Sequence, residues 1–169
     1  MTGQPERHRL PFDPIEEAAR LWDQRWEETP RMRAVTSLMR VHQLLITELD
    51  ELLRPLGLTF ARYEVLVLLS FSRRGALPLG KIGERLQVHA TSVTPLVKRL
   101  EAAELIRRTP HPEDGRAVLA SITSKGLDVM DRATQAIVDA RFGLSALSEE
   151  ECDQLTELLT PPRSAAGDF

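Results

Sequence analysis

The order of apolar patterns in the middle of this chain constrains its fold more than any other feature. Two short stretches, 79–86 and 90–103, carry apolar residues at the three- and four-residue spacing of amphipathic helices. Residues 105–109 and 117–122 have the composition of short strands, and a segment rich in Pro, Asp and Gly joins them. Helix, turn, helix and β-hairpin in this order predict a winged helix-turn-helix.

The flanking segments predict further helices and make the protein mainly α with a small β-hairpin wing. Helices are expected over 13–28, 32–53, 60–72 and 123–142, with a last one that starts at Ser148 and stops at Pro161-Pro162. Gly75 and Pro78 are expected only to break the chain between helices. The predicted divisions are a flexible tail (1–12), N-terminal dimerisation helices (13–58), the winged lobe (59–122), C-terminal dimerisation helices (123–160) and a second tail (161–169).

Charge is distributed unevenly along the chain. The net charge is −3, yet residues 73–125 hold ten Lys and Arg against five acids, a local charge of +5. The remainder, with 12 basic and 20 acidic residues, carries −8. A local positive face is what phosphate binding requires, so the winged lobe is predicted to bind duplex DNA.

The second helix of the pair is expected to lie in the major groove, and the hairpin tip to run beside the duplex. Hydroxyl groups suit base edges and phosphates, lysine and arginine suit phosphates and guanine, and Arg116 at the tip suits a narrow minor groove. The predicted DNA-binding residues are Lys81, His89, Thr91, Ser92, Thr94, Lys98, Arg99, Arg108 and Arg116.

These segments resemble the MarR family of multiple-antibiotic-resistance-type regulators over residues 31–160. The matching motifs are residues 79–86, Thr91-Ser92-Val93-Thr94, Val97-Lys98-Arg99-Leu100-Glu101, Leu105-Ile106-Arg107-Arg108, Asp114-x-Arg116 and the closing Leu119-x-x-x-Thr123-x-x-Gly126. The resemblance implies an intertwined helical homodimer, a palindromic operator and an effector that changes the spacing of the two DNA-reading helices. Pro95, where the family usually has a polar residue, is a departure that can kink the helix.

The N-terminal helix with Trp22 is similar to that of the family's urate-responsive branch. That branch also implies roles for an acid after an aromatic, here Tyr63-Glu64, and for Arg108, although Leu96 stands where a second arginine is expected. A small aromatic or anionic effector is the resulting expectation, although packing of Trp22 against the dimer core is favoured over a role in binding urate. Its predicted pocket residues are Trp22, His42, Tyr63, Glu64 and Arg108.

The sequence contains little that supports functions other than DNA binding. No phosphate loop, HExxH or G-x-S-x-G motif is present, and the four histidines (His8, His42, His89 and His111) lack ligand spacing, so no enzyme, cofactor or metal is expected. Cys152 lies among acids that disfavour a thiolate, which favours packing over peroxide sensing. One cysteine, no signal peptide and no bilayer-length apolar run predict a cytoplasmic protein without a membrane partner. The alternative function is a winged-helix module that binds protein, and salt-independent behaviour would favour it.

Overall fold

A computed structural model describes residues 10–87, 90–111 and 117–169, except for the side chains of residues 90 and 91. The chain forms two compact units, Met1–Thr47 and Glu48–Phe169. The helices are α1 (Pro14–Trp22), α2 (Thr29–Leu53), α3 (Phe60–Ser70), α4 (Leu79–Leu86), α5 (Ala90–Ala102), α6 (Ser124–Asp139) and α7 (Glu149–Ala165). The strands are β1 (Ala76–Pro78), β2 (Ile106–Pro110) and β3 (Val118–Ile122). The predicted fold class, mainly α with a small sheet, is confirmed.

In the first unit, α1 begins where its capping residues predict. The Asp13 carboxylate accepts the N–H of Ile15 at 2.8 Å, and a proline occupies the first helical turn. The helix ends at Trp22, however, and the prediction that it extends to residue 28 is wrong. The indole Nε1 of Trp22 donates to the carbonyl of Glu27 at 2.8 Å, and this bond stabilises a turn in place of further helix.

The core of the second unit is aliphatic and joins α3, α5, α6 and the sheet. Its buried members are Leu49, Leu53, Leu58, Tyr63, Val65, Leu66, Leu69, Ile82, Val93, Val97, Leu100, Leu105, Ile106, Ala120, Ala133 and Ile137. The one aromatic among them, Tyr63, satisfies its hydroxyl group through Thr134 Oγ1 of α6 at 3.0 Å. This bond ties α3 to α6 inside an otherwise apolar interior.

The sheet has three antiparallel strands in the order β1-β3-β2. The β2–β3 hairpin agrees with the sequence prediction, while β1 was not predicted. Gly75 precedes this strand and Pro78 is its last residue, but Ala76 pairs with Ser121, and the carbonyl of Gly75 accepts the N–H of Ile122 at 2.9 Å. Strand β1 therefore depends on a partner some 45 residues away in sequence, which local composition does not reveal.

Helix α6 begins at a close contact with the start of the hairpin. Thr123 is its N-cap and accepts the N–H of Gly126 at 3.0 Å, while its own N–H and hydroxyl group donate to the carbonyl of Leu105 at 3.0 and 3.1 Å. A Cβ atom added to Gly126 would lie 2.1 Å from that carbonyl oxygen. The helix ends at Asp139, three residues before the predicted end.

Helix α7 has the predicted capping box, in which Ser148 and Glu151 bond each other's backbone N–H groups. The prediction that Pro161-Pro162 ends this helix is wrong, since it continues to Ala165. Two prolines remove the donors for the carbonyls four residues earlier, those of Glu157 and Leu158. Both of these residues are exposed, so water can bond the two carbonyl groups.

Candidate nucleic-acid interface

Helices α4 and α5 form the predicted helix-turn-helix. Ile82 of α4 is buried, and the C-cap of α4 is Gln87, whose φ of 50° lies in the left-handed region. Helix α5 buries Val93, Val97 and Leu100, spaced four and three residues apart. This packing fixes which side of α5 faces outward.

The outward side of α5 carries the predicted polar contacts. Ser92, Thr94, Lys98 and Arg99 are all exposed. At about 100° per residue, Lys98 and Arg99 fall on either side of the direction opposite the buried stripe. Within the described part of the chain, neither cation has a carboxylate within salt-bridge distance. Both charges are therefore available to a phosphate.

Pro95 lies in the middle of this exposed side, and the helix is continuous through it. The proline nitrogen has no N–H to donate to the carbonyl four residues back, so α5 lacks one hydrogen bond. The residues on both sides of Pro95 nevertheless keep helical geometry. The ring adds a rigid apolar surface between the two cations.

The remaining predicted DNA-binding residues differ in position. Lys81 is exposed on α4 and forms an ion pair with Glu84 at 2.6 Å, which is easily exchanged for a phosphate because both partners lie in solvent. His89, the side chain of Thr91 and Arg116 lie outside the described residues.

Arg108 on β2 is bound within the protein. Its Nε and Nη2 atoms lie 2.6 and 2.5 Å from Oε2 of Glu101, and its backbone N–H donates to Oε1 of the same carboxylate at 3.2 Å. The hydrogen bonds and charge of Arg108 lower the pKa of Glu101. Lys98 and Arg99 have no anionic partner among the described residues, whereas this guanidinium group already has one.

Arg62, on α3, was not predicted as part of this surface. Its guanidinium group donates to the carbonyl of Gly57 at 2.9 Å and to Oγ1 of Thr59 at 3.2 Å. Burial lowers the pKa of Arg62, and the like charge of Arg99 lowers it further. The positive surface therefore extends from α5 to the start of α3. The only sequence sign of this was a single cation in the first turn of an apolar helix.

The predicted effector residues are divided between the two units. In the first unit, Trp22 is half-buried, with its ring centroid 4.8 Å from that of Trp26, and His42 is exposed. In the second, Tyr63 is a core residue bonded to Thr134, as described above. The neighbouring Glu64 is half-buried, and burial raises its pKa.

Cys152 is half-buried and lines a cavity of about 550 Å³ together with Arg141 and Phe142. Among the described residues, no three His, Cys, Asp or Glu side chains are grouped closely enough to hold a metal ion. No described helix combines the length and apolar character that crossing a bilayer requires.

Comparison with known proteins identifies the family to which this chain belongs. The MarR family model matches residues 58–118. The HTH-type transcriptional repressor MdtR of Bacillus subtilis is 33% identical over 132 residues, which make up 77% of this chain and 83% of MdtR. The chain belongs to the MarR family.

Solved structures of MarR family regulators agree with this assignment. Sco5413 of Streptomyces coelicolor is 51% identical, with a TM-score of 0.78, and the match covers 83% of this chain and 97% of Sco5413. Sco3205 from the same organism, solved in complex with DNA, is 25% identical with a TM-score of 0.75, over 83% of this chain and 90% of Sco3205. The predicted family and its transcription-regulator function are thereby confirmed.

Proposed function

We propose that this MarR family regulator is a homodimeric, ligand-responsive repressor that binds a palindromic operator in duplex DNA. The observation that carries the proposal is the amphipathic division of α5. Its apolar side is anchored in the core, while Lys98 and Arg99 extend outward without carboxylate partners in the described chain. A helix braced in this way suits the major groove.

Two relatives support the details. Sco3205 is a MarR family regulator solved with DNA, and MdtR is named as a repressor. We transfer both properties to this chain as part of the proposal. In bacteria the chromosome lies in the cytoplasm, which is the compartment we assign, and we assign the chain no enzymatic activity.

Dimerisation is supported by apolar surface that a single chain leaves in solvent. In the first unit, α2 exposes Val35, Leu38, Met39 and Leu44, with Met39 58% exposed. In the second unit, Leu158 of α7 is 75% exposed. Large apolar side chains exposed in this way are typical of a protein interface. Sedimentation at micromolar concentration should give a dimer, and a monomer there would contradict this part of the proposal.

Binding to DNA is tested by selecting bound fragments from random duplexes and measuring affinity against salt concentration. Selection should yield inverted repeats whose half-sites lie about one helical turn apart. The logarithm of affinity should fall linearly with the logarithm of salt concentration, by about 0.9 for each phosphate contacted. Failure to enrich any sequence, together with salt-independent binding, would contradict the proposal and favour a protein-binding module.

The proposed repressor responds to a small effector. Glu64 supports it, because a half-buried carboxyl group of raised pKa can donate a hydrogen bond to a ligand when protonated. We propose a small aromatic or anionic compound. Screening such compounds for release of the selected duplex is the corresponding experiment, and a candidate that leaves affinity unchanged is excluded.

A further inference from the structure

One charged pair joins the DNA-facing helix to the wing. Glu101 lies in the last turn of α5, and Arg108 lies at the centre of β2, where it pairs with the fully buried Ala120 of β3. A single carboxylate accepts the backbone N–H of Arg108 at Oε1 and the Nε–H of its guanidinium at Oε2, and Nη2 lies 2.5 Å from the same Oε2. Both the side chain and the main chain of the strand are thus bound to the helix.

This arrangement differs from the other ion pairs of the second unit. The Lys81–Glu84 pair lies within one helix, and its side chains are 59% and 64% exposed, whereas those of Arg108 and Glu101 are 32% and 34% exposed. Contacts from both the backbone N–H and the guanidinium group of Arg108 to one carboxylate also fix direction, which a single lysine contact does not. The Glu101–Arg108 pair therefore has the geometry to hold two elements in a fixed relative orientation.

We propose that Glu101 is a positioning residue, which fixes the wing hairpin against α5 through Arg108, and that neither side chain contacts DNA. The inference rests on the DNA-binding function proposed above. Helix and wing must contact the duplex together, so an open pair weakens binding by loosening their relative placement. Arg108 accordingly leaves the set of DNA-contacting residues predicted from the sequence.

The DNA test is a double-mutant cycle on a duplex selected by the wild-type protein. Glu101→Gln and Arg108→Gln should each reduce affinity about tenfold, and the double variant should lose about tenfold as well, because each single change breaks the same pair. The slope of affinity against salt should be unchanged in all three variants. A hundredfold loss in the double variant, or a slope reduced by about 0.9 in Arg108→Gln, would overturn the proposal by making Arg108 a phosphate contact.

A conservative variant separates geometry from charge. Arg108→Lys keeps the charge and loses the planar guanidinium contact with Glu101, so it should lose affinity about as Arg108→Gln does. If Arg108→Lys binds DNA like the wild type, a positioning role is excluded.

Hydrogen exchange of the protein without DNA tests the pair independently of the proposed function. In Glu101→Gln, the amide of Arg108 should exchange at least tenfold faster, while amides of α3 keep their wild-type rates. Glu104→Gln is the matched control, since it breaks the neighbouring pair with Lys125 at 2.9 Å without touching β2. Unchanged exchange at Arg108 overturns the positioning role even if the wild type binds DNA. Conversely, if the Arg108 amide exchanges faster in Glu101→Gln but the wild-type protein binds no duplex, only the DNA-binding function is overturned.

Discussion

Replacing Gly126 by alanine should strongly destabilise the second unit. The new Cβ atom would lie 2.1 Å from the carbonyl oxygen of Leu105 and 2.9 Å from Cγ1 of Ile122. The side chain of Ile122 can rotate, but the Leu105 oxygen is backbone and already accepts two bonds from Thr123. Relief of the contact therefore requires α6 and the start of β2 to separate.

The expected loss follows from three contributions. Overpacking a tight site costs about 1–3 kcal/mol, and a contact with fixed backbone belongs at the upper end of that range. Weakening the two bonds to Leu105 adds about 1 kcal/mol, while alanine in a helix regains about 1 kcal/mol relative to glycine. We expect Gly126→Ala to lower the free energy of unfolding by about 3 kcal/mol, which for a chain of 169 residues lowers Tm by roughly 6–12 °C.

Urea and thermal unfolding at one fixed protein concentration measure this loss. The matched control is Gly80→Ala in α4, where an added Cβ has nothing within 4 Å, and it should be neutral or stabilising by up to about 1 kcal/mol. If Gly126→Ala unfolds within about 0.5 kcal/mol of the wild type, the close approach between α6 and the hairpin is incorrect.

Two further substitutions test the interior. Tyr63→Phe removes the hydroxyl group that bonds Thr134 and should lower the free energy of unfolding by about 1 kcal/mol. The loss should appear as a lower urea midpoint at an unchanged m-value, and an unchanged midpoint would contradict the buried bond. Burial raises the folded-state pKa of Glu64 above its unfolded value near 4.3. The contribution of Glu64 to wild-type stability therefore falls as pH rises through that window, and Glu64→Gln should gain stability relative to the wild type as pH rises from 4 to 8. A stability difference that shrinks over this pH range would show that the Glu64 carboxylate is stabilised in the folded chain.

Local sequence signals located the starts of several helices well. Asp13, Thr123 and Ser148 each cap the helix that their side-chain chemistry predicts. Ends were less predictable, because they depend on competing contacts. Trp22 ends α1 through a bond to a carbonyl five residues on, and α7 continues through Pro161, where propensity alone predicts a stop.

Some features of the candidate interface were likewise predictable from the sequence, and others were not. The exposure of Lys98 and Arg99 follows from helical periodicity and was predictable from the spacing of their apolar neighbours. The pairing of Arg108 with Glu101 depends on how β2 folds back against α5, and the proximity of Arg62 to Arg99 depends on how α3 packs there. Sequence identifies such residues as charged, and only the tertiary fold identifies their partners.

The salt dependence of DNA binding in single α5 variants tests the central claim most directly. Lys98→Ala and Arg99→Ala should each weaken binding to a selected duplex and reduce the slope of log affinity against log salt by about 0.9. Arg132→Ala removes the same charge from an exposed position on a different helix, α6, and should leave the slope at its wild-type value. If both α5 variants keep the wild-type slope, the exposed side of α5 does not contact phosphate, and the proposed mode of DNA binding is wrong.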